Sequence, residues 1–135
     1  MLGSGEFGAS VVVADCEAGI GTLTRLAENA VDAVVIVVEA TAKSLEVGAR
    51  AAGLAGERAA MRTVVIANRV RNDEDLQRVR AAFPDDVEVV AVPDDPVIVE
   101  ADRKGVAPLD LDPAAPAIAA IAALAEDLLP ADVGR

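Results

Sequence analysis

The sequence predicts an α/β protein with a three-layer α/β/α arrangement around a mainly parallel sheet of about four strands. Four short runs are rich in Val and Ile and apolar throughout, which is typical of strands buried on both faces. Segments with helical spacing separate them, and this alternation indicates βαβ units with right-handed crossovers. The runs are VVVAD (11–15), AVVIVVEA (33–40), RTVVIANRV (62–70) and VEVVAVPDD (87–95).

The first two connecting segments have the spacing of helices that pack on a sheet. In the first segment, apolar residues recur every three positions, at Ile20, Leu23 and Leu26. The second segment has a stripe of mostly small side chains, which favours a close approach of its helix to the sheet. That stripe comprises Leu45, Ala49, Ala52 and Gly56.

Capping residues mark the later helices. Asn72 predicts a helix start, since its side chain can cap and the acidic residues 73–75 suit the first turn. Its apolar face is formed by Leu76, Val79 and Phe83. Two Asp-Pro pairs, at 95–96 and 112–113, each place a capping carboxylate before a first-turn proline, and Lys104-Gly105 predicts a helix end. We expect the last helix roughly at 113–129, with a buried face formed by Ile118, Ile121, Leu124 and Leu128.

Length and composition indicate one globular domain, which we place at residues 11–129 with a tail at 130–135. The 135 residues suffice for one core, and 53% of them are hydrophobic. The formal net charge of −11 disfavours nucleic acid and anionic membrane surfaces as partners. The most apolar stretch, AAPAIAAIAALA, is too short to cross a bilayer, so we expect no membrane insertion.

The residue inventory excludes several kinds of chemistry. The chain has one cysteine, Cys16, and no histidine, which rules out an intrachain disulfide, a zinc site and histidine-based acid–base catalysis. The sequence shows no signal-peptide pattern. We therefore expect a cytoplasmic protein.

The opening glycines look like a nucleotide motif in the wrong context. Gly3, Gly5 and Gly8 fit G-x-G-x-x-G, but only two residues precede them, and a predicted strand follows where a helix is required. The dipeptides GS and EF are also those that common cloning sites encode. We interpret residues 1–10 as a cloning-derived leader.

Polar residues follow all four apolar runs directly, at 15–19, 39–41, 68–69 and 93–95. In parallel α/β sheets, ligands bind beyond the carboxyl ends of the strands. These four groups therefore predict the functional edge of the domain.

Four segments carry a resemblance to a known family: DCEAGI, VDAVVIVVEATAKSLEVGARAAGLAGE, VVIANRV and VPDDPVIVEADRKGVAPLDL. In this order and spacing they resemble the C-terminal part of MinD/ParA-like P-loop ATPases of the SIMIBI class. Within that group the chain is most similar to the CooC-type ATPases associated with nickel insertion into carbon monoxide dehydrogenase. The resemblance covers nearly the whole chain. It implies a truncated P-loop NTPase-like fold, with ATP and Mg²⁺ as cofactors of a complete family member.

The resemblance also implies roles for individual residues. Asp15 lies where the family has an aspartate that reaches Mg²⁺, and Glu17 to Gly19 match the segment that senses the γ-phosphate. Asn68 and Arg69 match the position that contacts adenine. The loop bordering the base corresponds to Pro93, Asp94 and Asp95.

Each of these side chains also has a purely structural interpretation. Asp15 could cap a helix, and Asn68 could close a turn. Asp94 and Asp95 could be a solvated charge and a cap. Cys16 is interpreted as a small buried hydrophobe, because no histidine or lysine lies near it in the sequence to activate it.

The chain departs from the family where the phosphates would bind. No G-x-x-x-x-G-K-[ST] occurs, and the two lysines, Lys43 and Lys104, stand in unrelated contexts. CooC-type proteins have a histidine where this chain has Gly21, and a paired-cysteine metal site where it has only Cys16, which puts a nickel role in doubt. We therefore expect no ATP hydrolysis by this chain alone, and no cofactor bound to it.

In complete family members, the strand that carries the phosphate-binding loop lies between the strands that correspond to residues 11–14 and 33–38. Its absence implies either a gap that these two strands close by pairing directly or exposed edges that recruit another chain, so we expect a homodimer or a strand-exchanged assembly. The expected partner is a second copy or a missing N-terminal half, with the client unknown. One alternative function is a homo-oligomeric α/β interaction module without nucleotide chemistry. Another is a flavodoxin-like receiver domain with Asp15 as phosphoacceptor, although Arg69 only imitates the strand-end lysine of a receiver.

Overall fold

The protein is an α/β structure with a parallel sheet, as seen in a computed structural model that describes residues 11–16, 31–57 and 62–129. The described strands are β1 (Ala33–Val38), β2 (Arg62–Val70) and β3 (Glu88–Pro93). The described helices are α1 (Ala42–Glu57), α2 (Asp73–Ala81), α3 (Pro96–Lys104), α4 (Pro108–Leu111) and α5 (Pro116–Leu128).

The three strands lie in the order β1-β2-β3, and both pairings are parallel. Val35 of β1 pairs with Val64 of β2, and Val65 of β2 pairs with Val89 of β3. Three of the four apolar runs are therefore strands, which confirms the predicted α/β class and the parallel sheet.

The expected strand at Val11–Asp15 is not part of the sheet that the described residues form. Residues 11–16 have no regular secondary structure. Val11, Val12 and Val13 are 51%, 65% and 88% exposed. An apolar run becomes a strand only beside a neighbour that accepts its backbone hydrogen bonds, and no described strand lies beside this one. The helix predicted around Ile20, Leu23 and Leu26, and the proposed leader and tail, fall outside the described residues.

Both faces of the central strand are buried. Val64 and Val65 are both fully buried although successive side chains of a strand point to opposite faces. Val65 packs in a core cluster with Leu45 of α1 and Val79 of α2, and α5 packs on β3. This arrangement is compatible with α/β/α layers.

β1 differs from the prediction because only one of its faces is buried. Ile36 and Val38 lie in the core, whereas Val35 and Val37 on the opposite face are 40% and 59% exposed. The reason is position: β1 is the edge of the described sheet, and α5 packs on β3 at the other edge. The sequence could not distinguish an edge strand from a central one.

The close approach of α1 to the sheet is confirmed, but at Gly48 instead of Gly56. Gly56 is exposed, and a Cβ built there would meet nothing. A Cβ on Gly48 would collide with Cγ1 of Val38 and lie 3.3 Å from Cζ of Phe83. Glycine at this position lets α1 sit directly on β1.

The predicted caps of α2 and α3 are confirmed. Asn72 Oδ1 accepts a hydrogen bond from Asp75 N at 2.9 Å, and Asp95 Oδ1 accepts one from Val97 N at 3.0 Å. Gly105 ends α3 with a φ of 67°, a left-handed conformation that glycine adopts without strain.

The C-terminal region differs in detail from the prediction. α5 begins at Pro116 instead of Pro113, because Asp112 Oδ1 accepts a hydrogen bond from Ala114 N and closes a turn there. The short helix α4 was not expected. Ile118 and Leu124 are buried as predicted, but Ile121 is 46% exposed.

At the amino-terminal end of the strands, Arg62 at the start of β2 links β2 to β3 and α5. Its guanidinium donates to Glu88 Oε2 of β3 at 2.8 Å and to the carboxylate of Asp127 in α5. It also donates to the Asp127 carbonyl at 3.2 Å. These contacts anchor the end of α5 to two strands.

Among the helices in the described ranges, none combines the length and apolarity needed to cross a bilayer.

Candidate functional site

A polar cleft of about 150 Å³ lies at the carboxyl edge of the sheet, where the sequence predicted function. The ends of β1 and β2, the residue after β3 and the start of α2 contribute to it. Its lining residues are Glu39, Ala40, Thr41, Arg69, Arg71, Asp75 and Asp94.

A β-bulge at the end of β2 shapes this cleft. Ala67 pairs with Ala91 and Val70 pairs with Pro93, so two residues of β2 oppose one residue of β3. Arg69, inside the bulge, has a φ of 56°, and it is the one non-glycine residue with positive φ in the described part of the chain. Bulges re-aim side chains and are over-represented beside active sites. The left-handed backbone makes Arg69 a site of strain.

The guanidinium of Arg69 connects the ends of β1 and β3. Its Nη1 lies 3.6 Å from Glu39 Oε1, and its Nε lies 3.6 Å from Asp94 Oδ1. Both distances exceed those of good hydrogen bonds, and the Arg69 side chain is 64% exposed. Glu39 and Asp94 therefore hold the Arg69 side chain only weakly. The backbone contact between the ends of β2 and β3 is closer, because Asp94 N donates to Val70 O at 2.9 Å.

We expect Arg69→Gly to be more stable than Arg69→Ala by about 1 kcal/mol. Both substitutions remove the same exposed ion pairs, which contribute little, but only glycine relieves the left-handed strain. Urea unfolding of the two variants and the wild type measures the difference. Equal stability of the two variants would contradict the assignment of strain to this residue.

Arg71 and Asp75 form a bidentate ion pair in the cleft. Arg71 Nε donates to Asp75 Oδ2 at 2.9 Å, Nη2 donates to Oδ1 at 3.1 Å, and the Arg71 backbone N–H donates to Oδ2 at 3.1 Å. Asp75 is 6% exposed. These hydrogen bonds from Arg71 lower the pKa of Asp75, and the side-chain hydrogen bond to Asp75 raises the pKa of Arg71. The pair fixes the start of α2 against the end of β2.

The lowered pKa predicts an acid-sensitive contribution to stability. A carboxylate with a folded pKa below its unfolded value, about 3.9 for Asp, stabilises the fold above that value. The stabilisation is lost as the pH falls through the folded pKa. We expect Asp75→Asn to lower stability at about pH 7, and the difference from the wild type to shrink progressively as the pH falls below about 3.9. Unfolding curves across this range test it, with Glu74→Gln, at an exposed neighbouring carboxylate, as the control. A constant difference at all pH values would exclude the ionised Asp75 as the cause.

The β1 side of the cleft is built around the start of α1. Ser44 Oγ accepts a hydrogen bond from Glu39 N at 2.9 Å, and Thr41 Oγ1 accepts one from Ser44 N at 3.3 Å. Thr41 therefore caps α1, and the Glu39 backbone is held in place. The carboxylate of Glu39 remains directed to Arg69.

The structure brings together only some of the residues predicted to contact a nucleotide. Arg69 and Asp94 line the cleft. Asn68 lies beside them in the bulge, half-buried, and its amide makes no hydrogen bond to the described residues. Pro93 ends β3 opposite Val70.

Asp95 has a structural role. Its Oδ1 caps α3, and its Oδ2 accepts a hydrogen bond from Ala117 N in the first turn of α5 at 3.0 Å. The residue is 7% exposed and does not line the cleft. The capping interpretation of Asp95 is therefore confirmed, while the base-bordering role assigned to it stays a prediction.

Of the residues predicted to lie near Mg²⁺ and the γ-phosphate, only Asp15 falls in the described ranges. Asp15 is exposed and does not line the cleft, and Glu17 and Gly19 lie outside the described residues. Cys16 is half-buried, and its thiol contacts Ala14 O at 3.6 Å. In the described ranges, no three acidic or cysteine side chains cluster as a metal site.

Sequence reasoning missed Arg71 and the bulge. Asp75 was expected only to supply charge to the first helical turn, yet it binds Arg71 four residues earlier. An arginine four residues before a first-turn aspartate, next to a capping Asn72, was the available signal. The bulge had no signal, because its left-handed residue is not glycine.

No protein-family model and no curated protein matches the chain. The resemblance to MinD/ParA-like ATPases therefore stays a prediction.

Proposed function

We propose that the chain is the C-terminal part of a MinD/CooC-like ATP-binding protein with a truncated P-loop NTPase-like fold, and that the carboxyl-edge cleft borders the purine. The observation that carries this proposal is the left-handed Arg69 in its bulge. Backbone strain persists only where the surrounding structure enforces it, and it clusters at ligand sites. Here the strained residue lies between the ends of all three described strands.

The chemistry of the cleft suits the edge of a nucleobase. A purine presents hydrogen-bond donors and acceptors side by side, and the cleft offers an arginine beside Glu39 and Asp94, with the Asn68 amide next to it. The 3.6 Å contacts of Arg69 are longer than hydrogen bonds, so a ligand edge can enter between them at low cost. The volume of about 150 Å³ is below the ~300–1,000 Å³ of sites for drug-sized ligands. It suits one ring system better than a whole nucleotide.

Phosphate binding and hydrolysis require a part that the sequence does not contain. There is no Gly-rich loop with its lysine to surround the phosphates, and no hydroxyl from such a loop to bind Mg²⁺. We therefore propose that this chain binds the base weakly and does not hydrolyse ATP by itself.

The test is a titration with adenosine, AMP and ATP plus Mg²⁺, followed by the backbone amide NMR signals. We expect the amides of Arg69 and Asp94 to shift, with adenosine and ATP bound equally within about threefold. Arg69→Ala should reduce the shifts. Arg103→Ala, at an exposed arginine of α3, is the matched control and should not.

Two results would overturn the proposal. ATP binding more than about tenfold tighter than adenosine binding would reveal a phosphate site. If none of the three compounds changes the amide signals of the cleft, the cleft does not bind the base.

β1 supports a second candidate function, a homo-oligomeric interaction module. Its residues are uncharged, and Val35 and Val37 are exposed beside an edge that no described strand covers. Sedimentation over a range of protein concentrations tests this candidate, and a monomer at all concentrations would reject it.

A further inference from the structure

We propose that two copies of this chain exchange strands, with Val11–Ala14 of one copy pairing, in the other copy, along the edge of β1 that no described strand covers. This inference rests on the second candidate function and names the segment that performs it. It is independent of the purine cleft, since none of these residues lines that cleft.

Within the residues that the structure describes, the receiving edge lacks the sequence features with which proteins protect edge strands. Lysines, prolines, bulges and short length normally prevent such edges from pairing. β1 is six residues long, reads AVVIVV, and pairs in regular register with β2 on one side. A short apolar segment of high β-propensity without charge or proline favours pairing with another chain.

The exposed face of β1 needs apolar cover. Val35 and Val37 point to the face opposite the core cluster and are 40% and 59% exposed. Side chains of an added strand would lie directly beside them, in the spacing at which neighbouring strands interact.

The donor segment has the complementary properties. Val11–Ala14 is uncharged and rich in a β-branched residue, and its side chains are exposed. In the described structure it has no strand partner and does not occupy the β1 edge of its own chain.

A second copy is the favoured occupant because the exchange closes on itself. Each copy gives one segment and receives one, so both edges are satisfied and assembly stops at two. Both segments are free of charge in a chain with a net charge of −11, which reduces the repulsion at the contact. Direct pairing of β1 with β1 about a central twofold axis is disfavoured, because Asp32 of each copy would face Glu39 of the other.

Cross-linking between distinguishable chains tests the inference. In a Cys16→Ser background, chains carrying Val12→Cys or Val13→Cys are mixed under mild oxidation with mass-labelled chains carrying Val37→Cys. Successive side chains of a strand point to opposite faces, so we expect one of the two donor positions to cross-link and the other not. Val99→Cys, at a valine of α3 that is also 59% exposed, replaces Val37→Cys in the control and should not cross-link.

Sedimentation separates failure of the inference from failure of the candidate function. A monomeric wild type rejects both. Three results would retain the dimer and overturn the strand exchange. Neither donor position cross-links, both cross-link equally, or Val37→Cys cross-links mainly with itself. If the exchange occurs, Val37→Lys should abolish the dimer while leaving the monomer folded, because the wild-type side chain is exposed.

Discussion

Gly48→Ala is expected to lower the free energy of unfolding by about 2 kcal/mol, net of the ~1 kcal/mol that alanine gains over glycine in a helix. The new Cβ would collide with Cγ1 of Val38, which is 2% exposed and packs in the core cluster. Either α1 lifts off β1 or Val38 leaves its rotamer, and both loosen the core around Phe83.

Gly53→Ala in the same helix is the matched control. Nothing lies within 4 Å of a Cβ built at Gly53, so alanine should raise stability by about 1 kcal/mol through helix propensity alone. Urea unfolding of both variants gives the comparison. If Gly48→Ala is neutral or stabilising, the close approach of α1 to β1 described above is wrong.

A double variant locates the collision. Val38→Ala removes the methyl groups that the new Cβ meets, so Gly48→Ala should cost less in that background than in the wild type. Strictly additive effects of the two substitutions would place the cost elsewhere.

Asp95→Ala is expected to lower the free energy of unfolding by about 3 kcal/mol. The substitution removes the cap of α3 and the hydrogen bond to Ala117 N, and it leaves both backbone N–H groups without their acceptor in a site that is 7% exposed. One side chain joins the starts of two helices, which explains an effect larger than that of an ordinary cap.

Asp95→Asn tests the two hydrogen bonds of Asp95, and Asp112→Ala is the control at an exposed turn. Asp95→Asn retains a good capping oxygen but turns an NH₂ group toward one of the two donors, so an intermediate loss is expected. Asp112→Ala removes an exposed turn contact to Ala114 N and should change stability by less than about 1 kcal/mol. A loss for Asp95→Ala no larger than that for Asp112→Ala would contradict the double role.

The sequence predicted the elements whose signals are local. Three of the four runs of Val and Ile become strands within one or two residues of the expected limits. Asn72, Asp95 and Gly105 marked helix ends correctly because their signals lie in adjacent residues, whereas Asp112 closes a turn instead.

The features that were missed depend on tertiary context. Whether 11–15 becomes a strand depends on a neighbour, and whether β1 is central or peripheral depends on the sheet as a whole. The edge that carries the cleft could be predicted from strand-end polarity. The contacts within the cleft could not be predicted, because the bulge that places Arg69 between Glu39 and Asp94 depends on the pairing of β2 with β3.

The order of the strands in the sheet, the same as their order along the chain, has a consequence for biosynthesis. Each strand emerging from the ribosome can join its predecessor after only one intervening helix, so the layer with α1 and α2 can assemble early. The layer with α5 must wait for the C-terminal residues to be synthesised. Until then β3 lacks the helix that packs on it, and truncation before α5 should produce a chain that requires chaperones.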